Sequence, residues 1–395
     1  MRPLATVEED GPLQPYHLRM LASNDALSPC ASETQRQPEG NPPALQIVPK
    51  TTAQVKEIFE VPCQPLVLEK KLGAGAFGTV FRGHTPSERV VAIKQVVQDL
   101  SSADREAEIC KMLAAGSHPN IVEVKGIYFE ADTRGRIMNL VLEYVPKTMR
   151  SVLRFLSERN MRMKAMHVQI YMYQLARALL FLHQHDIVHR DIKPENILIN
   201  PETRELKLAD FGSAKKIVAK ATNTTYICTR FYRAPELILD RELYGPAIDI
   251  WSYGCILAEI AVGGPFFTGK DNVSQLVAII RVLGSPTSED IAAMATESGS
   301  HPFPLFCSRP RPRQPWAQVL AANVTRGGTV KTSFGVVYER LLDGLLEWRP
   351  SNRFTAQEVL GHTFFCELKA QSGESERLPP KLFHYTNEEL SAIGG

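Results

Sequence analysis

The spacing of apolar positions changes character twice along the chain. Through residues 1–55 no period survives, because Pro12, Pro15, Pro29, Pro38, Pro42 and Pro43 interrupt any helix or strand, and this segment reads as a flexible arm. From Pro65 to Glu143 short apolar runs such as "VVAIKQVV" and "NLVLEYV" predict strands, and "ADREAEICKML" predicts one helix. From Val145 onward the period lengthens to that of helices. "MHVQIYMYQLARALLFLHQH" places Tyr171, Leu175, Leu179 and Leu182 on one face. "AIDIWSYGCILAEIA" is apolar almost all round, which predicts a buried helix. Beyond about Gln371 the chain turns polar and ends in "PKLFHYTNEEL", which can dock through Leu382, Phe383 and Tyr385. No internal repeat appears. The pattern predicts an α+β protein with a small sheet-rich lobe, a hinge and a larger helical lobe, leaving a cleft between them.

Composition narrows the partners more than the fold. The 395 residues are 44% hydrophobic and 22% charged with a net charge of +2, so no overall field draws the chain to nucleic acid or a membrane surface. Seven cysteines spread from Cys30 to Cys366 contain no C-x-x-C pair, which suits a reducing compartment. No apolar run is long enough to span a bilayer, and the N-terminus lacks a signal-peptide core. Cytoplasm or nucleus is the expected location.

The candidate chemistry begins at "KLGAGAFGTVF", where Gly73, Gly75 and Gly78 follow a G-x-G-x-x-G spacing. That spacing serves dinucleotide dehydrogenases, where it opens a helix, and kinases, where it forms a turn between two strands over ATP phosphates. Here Gly78 leads into Thr79-Val80-Phe81, a β-branched and aromatic run, and a second strand "VVAIK" ends in Lys94. Downstream stand "VHRDIKPENIL", "LADFGSAK" and "RFYRAPELI". Each is modest alone; all of them in this order do not assemble by chance, and the loop is assigned to ATP.

From about residue 66 to 366 these words resemble the eukaryotic protein kinases. The resemblance implies a bilobal kinase domain over 66–366, with an N-lobe at 66–143, a C-lobe at 145–366 and a C-terminal extension at 367–395. It implies nucleotide contacts from Leu72, Gly73, Ala74, Gly75, Ala76, Phe77, Gly78, Thr79 and Val80, and adenine contacts from the backbone of Glu143 and Val145. Lys94 would hold the α- and β-phosphates and pair with Glu106, which shares a helix face with Cys110 and Leu113. Asp191 corresponds to the catalytic base and Lys193 to the lysine that steadies the γ-phosphate in serine/threonine kinases. Asn196 and Asp210 correspond to the Mg²⁺ ligands. Asp249 would anchor the catalytic loop, and Glu236 would pair with Arg353. His183, His185 and His189 lack the partners of a metal site, and His189 reads as packing. A non-catalytic phosphopeptide-binding scaffold would show a gap among Lys94, Asp191, Asn196 and Asp210. There is none.

Within the kinases, "TTYICTRFYRAPELI", "SAK" after Asp-Phe-Gly, "QLVAIIRVLGSPT" and "LFHYTNEEL" resemble the glycogen synthase kinase 3 (shaggy-like) family of the CMGC group. That resemblance implies protein substrates already phosphorylated four residues C-terminal to the target, received by Arg105, Arg190 and Lys215. It also implies a self-installed phosphate on Tyr226, with Arg230 and Arg233 as its partners. Thr224 stands where the family has an apolar residue, which keeps a mitogen-activated-like reading open, in which Thr224 and Tyr226 form the chain's own loop switch. Val273, Leu276, Val277 and Ile280 match a helix that binds scaffold proteins. Ser298 and His301 replace aromatics of the facing loop and only Phe303 is kept, which argues against scaffold binding. The basic "CSRPRPRQPW" has no assigned role.

Overall fold

The computed structural model describes residues 45–46, 66–75, 78–85, 87, 89–98, 105–132, 135–218, 222–225, 228–294, 310–323, 335–371, 378–386 and 389–390. Its contacts divide into two units. Among the described residues the first comprises 45–46, 66–117 and 122–146, and the second comprises 118–121 and 147–390.

The first unit is a six-stranded antiparallel sheet in the order β1-β2-β3-β4-β6-β5. Its strands are β1 (Leu45–Gln46), β2 (Val67–Gly75), β3 (Gly78–His84), β4 (Val90–Gln98), β5 (Val124–Asp132) and β6 (Gly135–Glu143), with one helix, α1 (Arg105–Ala115), before β5. The β-branched runs form the sheet as their composition requires. Val91, Ile93 and Val141 pack with Leu66 and Leu68 in one cluster, while Ala107 and Cys110 of α1 pack on Ile127, Phe129, Met138 and Leu140 in another. One expectation is corrected. Leu45 and Gln46 lie inside the segment read as an arm, yet pair with Leu68 and Val67 at the edge of β2. An edge strand offers unpaired backbone groups to any extended chain, so side-chain period could not reveal that pairing. The rest of residues 1–55 lies outside the described residues.

The second unit is mainly helical. After β7 (Lys147–Thr148) come α2 (Met149–Glu158) and α3 (Ala165–Gln184), and then the short strands β8 (Ile187–Val188), β9 (Ile197–Asn200), β10 (Glu205–Leu208) and β11 (Lys215–Lys216). The short strands pair as β10-β9-β7 and β11-β8, and so stretch the catalytic-loop words over two small sheets. Farther along lie α4 (Pro235–Ile238), α5 (Ala247–Val262) and α6 (Asn272–Leu283). The expected face of α3 is buried, but so is nearly everything from His167 to Leu182, including Gln169, Gln174 and Arg177. The buried polar residues have partners. Gln174 accepts from Asn120 and the Leu206 N–H, and Arg177 receives the C-terminal segment. Helix α5 is buried from Ile248 to Ile260 and ends at Gly263, whose φ of +83° suits the left-handed cap. No helix among the described residues is long and apolar enough to cross a membrane.

The terminal segment docks as expected through Leu382, which is buried, and through Phe383 and Tyr385, which meet Tyr173 edge-on and by a hydroxyl–hydroxyl bond. The basic segment also gains a place. The Arg311 carbonyl accepts from the Ser285 N–H and its own N–H donates to the Ser285 hydroxyl, and Arg313 reaches Asp343 and Glu347 at 2.7 and 2.9 Å. This close approach requires Gly284, where an added Cβ would lie 2.6 Å from the Arg313 nitrogen. Ser298, His301 and Phe303 lie outside the described residues. On α6, Leu276 and Ile280 are buried, Val277 is half-buried and Val273 is exposed.

Candidate active site

In the sheet unit, β2 and β3 form a hairpin whose register closes with Gly73 opposite Val80, Ala74 opposite Thr79 and Gly75 opposite Gly78. Ala76 and Phe77, at its tip, lie outside the described residues. Gly78 has φ +119°, and a Cβ there would stand 2.2 Å from the Gln95 carbonyl oxygen, so the position admits no side chain. Gly75 differs: a Cβ built on it meets nothing within 4 Å among the described residues. That open space beside backbone N–H groups is what a phosphate-bearing ligand requires. Leu72 and Val80 are half-buried beside it.

Lys94 lies on β4 between Val80 of β3 and Leu140 of β6, a position that buries its stem in the sheet. Its Nζ donates to Glu106 Oε1 at 2.6 Å. Glu106 stands in the first turn of α1, where the helix dipole favours a carboxylate, while Glu108 is exposed as expected. Arg105 is exposed at the start of the same helix. The Glu143 N–H is committed to the Glu123 carbonyl at 3.0 Å, so any backbone contact it offers a ligand falls to its carbonyl. Val145 is half-buried just beyond β6.

In the helical unit, the catalytic-loop residues hang from α5. Asp249 is buried on that helix, and its two oxygens accept the backbone N–H groups of His189 and Arg190, each at 2.9 Å. Its Oδ2 also lies 3.1 Å from His183 Nε2, which gives His183 a structural post. His189 packs edge-on against Phe211 and reaches the Ala209 carbonyl, as expected for a packing residue. Arg190 and Asp210 both adopt positive φ, +68° and +66°. Such conformations cost about 1–3 kcal/mol and persist where the surroundings enforce them, commonly at functional sites.

Asp191 is buried and gathers Lys193 and Asn196. Lys193 Nζ donates to its Oδ2 at 2.6 Å, and Asn196 Nδ2 donates to Oδ2 at 3.2 Å and to the Asp191 carbonyl at 2.9 Å. With both amide hydrogens spent, Asn196 keeps its carbonyl oxygen for a hard cation. Thr229 was missed by sequence reasoning. Its backbone N–H and hydroxyl both reach Asp191 Oδ1, at 3.1 and 3.2 Å. A carboxylate held from both oxygens has a fixed direction, which a proton acceptor needs.

Arg190 is buried beside it. Its Nε donates to the Ser213 carbonyl at 2.6 Å and its Nη1 to the Tyr244 hydroxyl at 2.9 Å, while Nη2 has no hydrogen bond among the described residues. The Tyr244 hydroxyl in turn donates to the Thr224 carbonyl at 2.7 Å, so exposed Thr224 lies one hydrogen-bonded step from Arg190. Lys215 is half-buried on β11, opposite Val188. Tyr226 lies outside the described residues. Of its expected partners, Arg230 donates Nη1 to the Lys270 carbonyl and Arg233 donates Nη2 to the Cys228 carbonyl. Glu236 and Arg353 pair at 2.6 and 2.7 Å as expected. Burial, and then Asp191, pushes the Cys228 thiol well up, which leaves it un-ionised beside the loop.

Comparison with known proteins adds the following. A family model described as the protein kinase domain matches residues 66–365. Protein kinase gsk3 of Schizosaccharomyces pombe is 38% identical over 354 residues, covering 87% of this chain and 87% of that protein.

Proposed function

This chain belongs to the eukaryotic protein kinases, in the glycogen synthase kinase 3-like part of the CMGC group, and on that premise we propose how it works and what it selects. It is an ATP-dependent protein serine/threonine kinase that requires a divalent metal. The single observation that carries the proposal is the Asp191 carboxylate, held by Lys193 and Asn196 on one oxygen and by Thr229 on the other. Asp191 takes the proton of the substrate hydroxyl. Lys193 steadies the transferred phosphoryl group, and the Gly73–Gly78 turn with Lys94 holds the nucleotide phosphates, Glu106 fixing the lysine. Asn196 and Asp210 are the metal ligands, and their all-oxygen donor set suits magnesium. When bound, the metal neutralises charge developing on the phosphates. Transfer that is lost on chelation and restored more fully by Mg²⁺ than by Ca²⁺ supports that assignment; equal restoration by Ca²⁺ removes it.

The substrates are proteins already phosphorylated four residues C-terminal to the target. Arg105, Arg190 and Lys215 receive that phosphate, and the Arg190 Nη2 edge, which makes no hydrogen bond among the described residues, is the specific support for this reading. The runner-up has its own support. Thr224 is exposed and tied through Tyr244 to Arg190, so a phosphate on Thr224 would compete for the same cations. Peptides with and without the priming phosphate, assayed on the wild type and on Thr224→Ala, separate the two.

A further inference from the structure

Four positions after Asp191 the catalytic loop carries Glu195, and behind it lies a charged cluster that none of the proposed steps uses. Arg150, in the first turn of α2, donates its Nε to Glu195 Oε1 at 2.7 Å and its Nη2 to the Tyr232 hydroxyl at 2.5 Å, and its Nη1 pairs with Glu259. Tyr232 in turn donates to Glu259 Oε2 at 2.6 Å. The Arg150 backbone N–H also holds the Pro194 carbonyl, so the residue grips the loop twice. Glu259 is fully buried on α5, whereas the Arg150 and Glu195 side chains are 27% and 39% exposed, so the cluster opens to solvent at its loop end. The second oxygen of Glu195 is buried with no hydrogen-bond partner among the described residues.

Placing a guanidinium here is not what the local helix favours. Arg150 sits at the positive end of α2, whose first turn contains no acidic residue. What holds it is the pair of carboxylates. Burial pushes the Glu259 carboxyl up and Arg150 pulls it back, and the mutual attraction keeps the arginine charged. The pocket thus has the form of a receptor for a guanidinium: two carboxylates and a tyrosine hydroxyl, set beside the loop that carries the candidate base.

We propose that Arg150 is a specificity-determining residue: it fills, from within the chain, an acidic pocket that would otherwise bind an arginine of the protein substrate. This rests on Asp191 marking where the substrate chain lies. The intrinsic guanidinium leaves the kinase indifferent to arginine beside the target residue, and selection falls to other contacts. Removing it exposes Glu195 and Glu259 to a substrate guanidinium of the same geometry.

The test uses the full chain, wild type and Arg150→Ala. Each is assayed on serine peptides carrying a single arginine at successive positions on both sides of the target, and on the arginine-free peptide. The wild type should show no arginine preference. The variant should gain about 10- to 150-fold in kcat/KM at one or two positions, the scale of one charge-assisted hydrogen bond. Adding Glu195→Gln should erase the gain. Peptide binding measured without turnover keeps this claim separate from the role of Asp191: binding gained without improved transfer would leave the pocket standing and displace the base assignment. An active Arg150→Ala enzyme with no arginine preference in binding or turnover overturns the proposal. If Arg150→Ala is unstable, guanidinium ion, far below denaturing concentration, should raise its Tm where methylammonium does not. Equal effects of the two cations would also overturn it.

Discussion

Glu389, in the terminal segment, is a residue whose removal should cost the helical unit heavily. Its carboxylate takes Arg177 Nε at 2.8 Å and Nη2 at 2.7 Å, and His118 Nε2 at 3.2 Å. Arg177 spends its remaining donors on the carbonyls of Lys381, Leu382 and His384, so the guanidinium is saturated only while the segment is docked. Both side chains of the pair are fully buried. Glu389→Ala leaves a buried cation without its counter-ion, a change that costs about 3–5 kcal/mol. For a unit of this size that corresponds to a fall in Tm of roughly 6–20 °C. The pH dependence follows from the same contacts. Burial alone would raise the Glu389 pKa, but hydrogen bonds from His118, Arg177 and the Thr386 N–H bring it to about 2. The folded value lies below the unfolded one of about 4.3, so the stabilisation is present above that pH and is lost as pH falls toward the folded value. Glu389→Gln should therefore be less stable at neutral pH and lose less on acidification than the wild type. Thermal unfolding of the three proteins across that range is the assay. A Glu389→Ala cost below about 1 kcal/mol would refute the buried-pair argument.

Other outcomes follow from the site. Asp191→Ala should abolish most turnover while nucleotide affinity, followed by fluorescent ATP-analogue binding, stays near the wild-type value; full activity would displace the assigned base. Thr229→Val should lower kcat more than KM, because it frees one side of the Asp191 carboxylate; an unchanged kcat would show that Lys193 and Asn196 suffice. Gly78→Ala should raise the KM for ATP and lower Tm, since a Cβ there meets the Gln95 carbonyl at 2.2 Å; wild-type values for both would mean that the hairpin adjusts.

Much of the site was legible because its chemistry is written in contiguous words. The glycine spacing, Lys94, and the run from His189 through Asn196 keep partners a few residues apart, and the β-branched texture after Gly78 already marked a hairpin. Glu106 followed from helix periodicity. The residues that escaped find their partners far along the chain: Thr229 meets Asp191 38 positions away, Arg150 meets Glu259 109 positions away and Arg177 meets Glu389 212 away. Periodicity reports which face is buried and says nothing of which buried polar groups find each other. An arginine such as Arg177, within an otherwise apolar helix, was the available signal, since a buried guanidinium requires acceptors. The pairing of Leu45–Gln46 was silent for a different reason, because it is made by backbone groups common to every residue.

The claim that this kinase reads a phosphate on its substrate is tested most directly by kcat/KM on a matched pair of peptides, primed and unprimed, for wild type, Arg105→Ala and Lys215→Ala. Arg190 is left intact because its backbone and side chain brace the loop beside Asp191. Each charge-assisted contact contributes about 1.5–3 kcal/mol, so either variant should lose about 10- to 150-fold on the primed peptide and little on the unprimed one. Equal losses on both peptides, or a wild type that ignores priming while Thr224→Ala is inactive, would contradict the account and assign the cations to the chain's own loop.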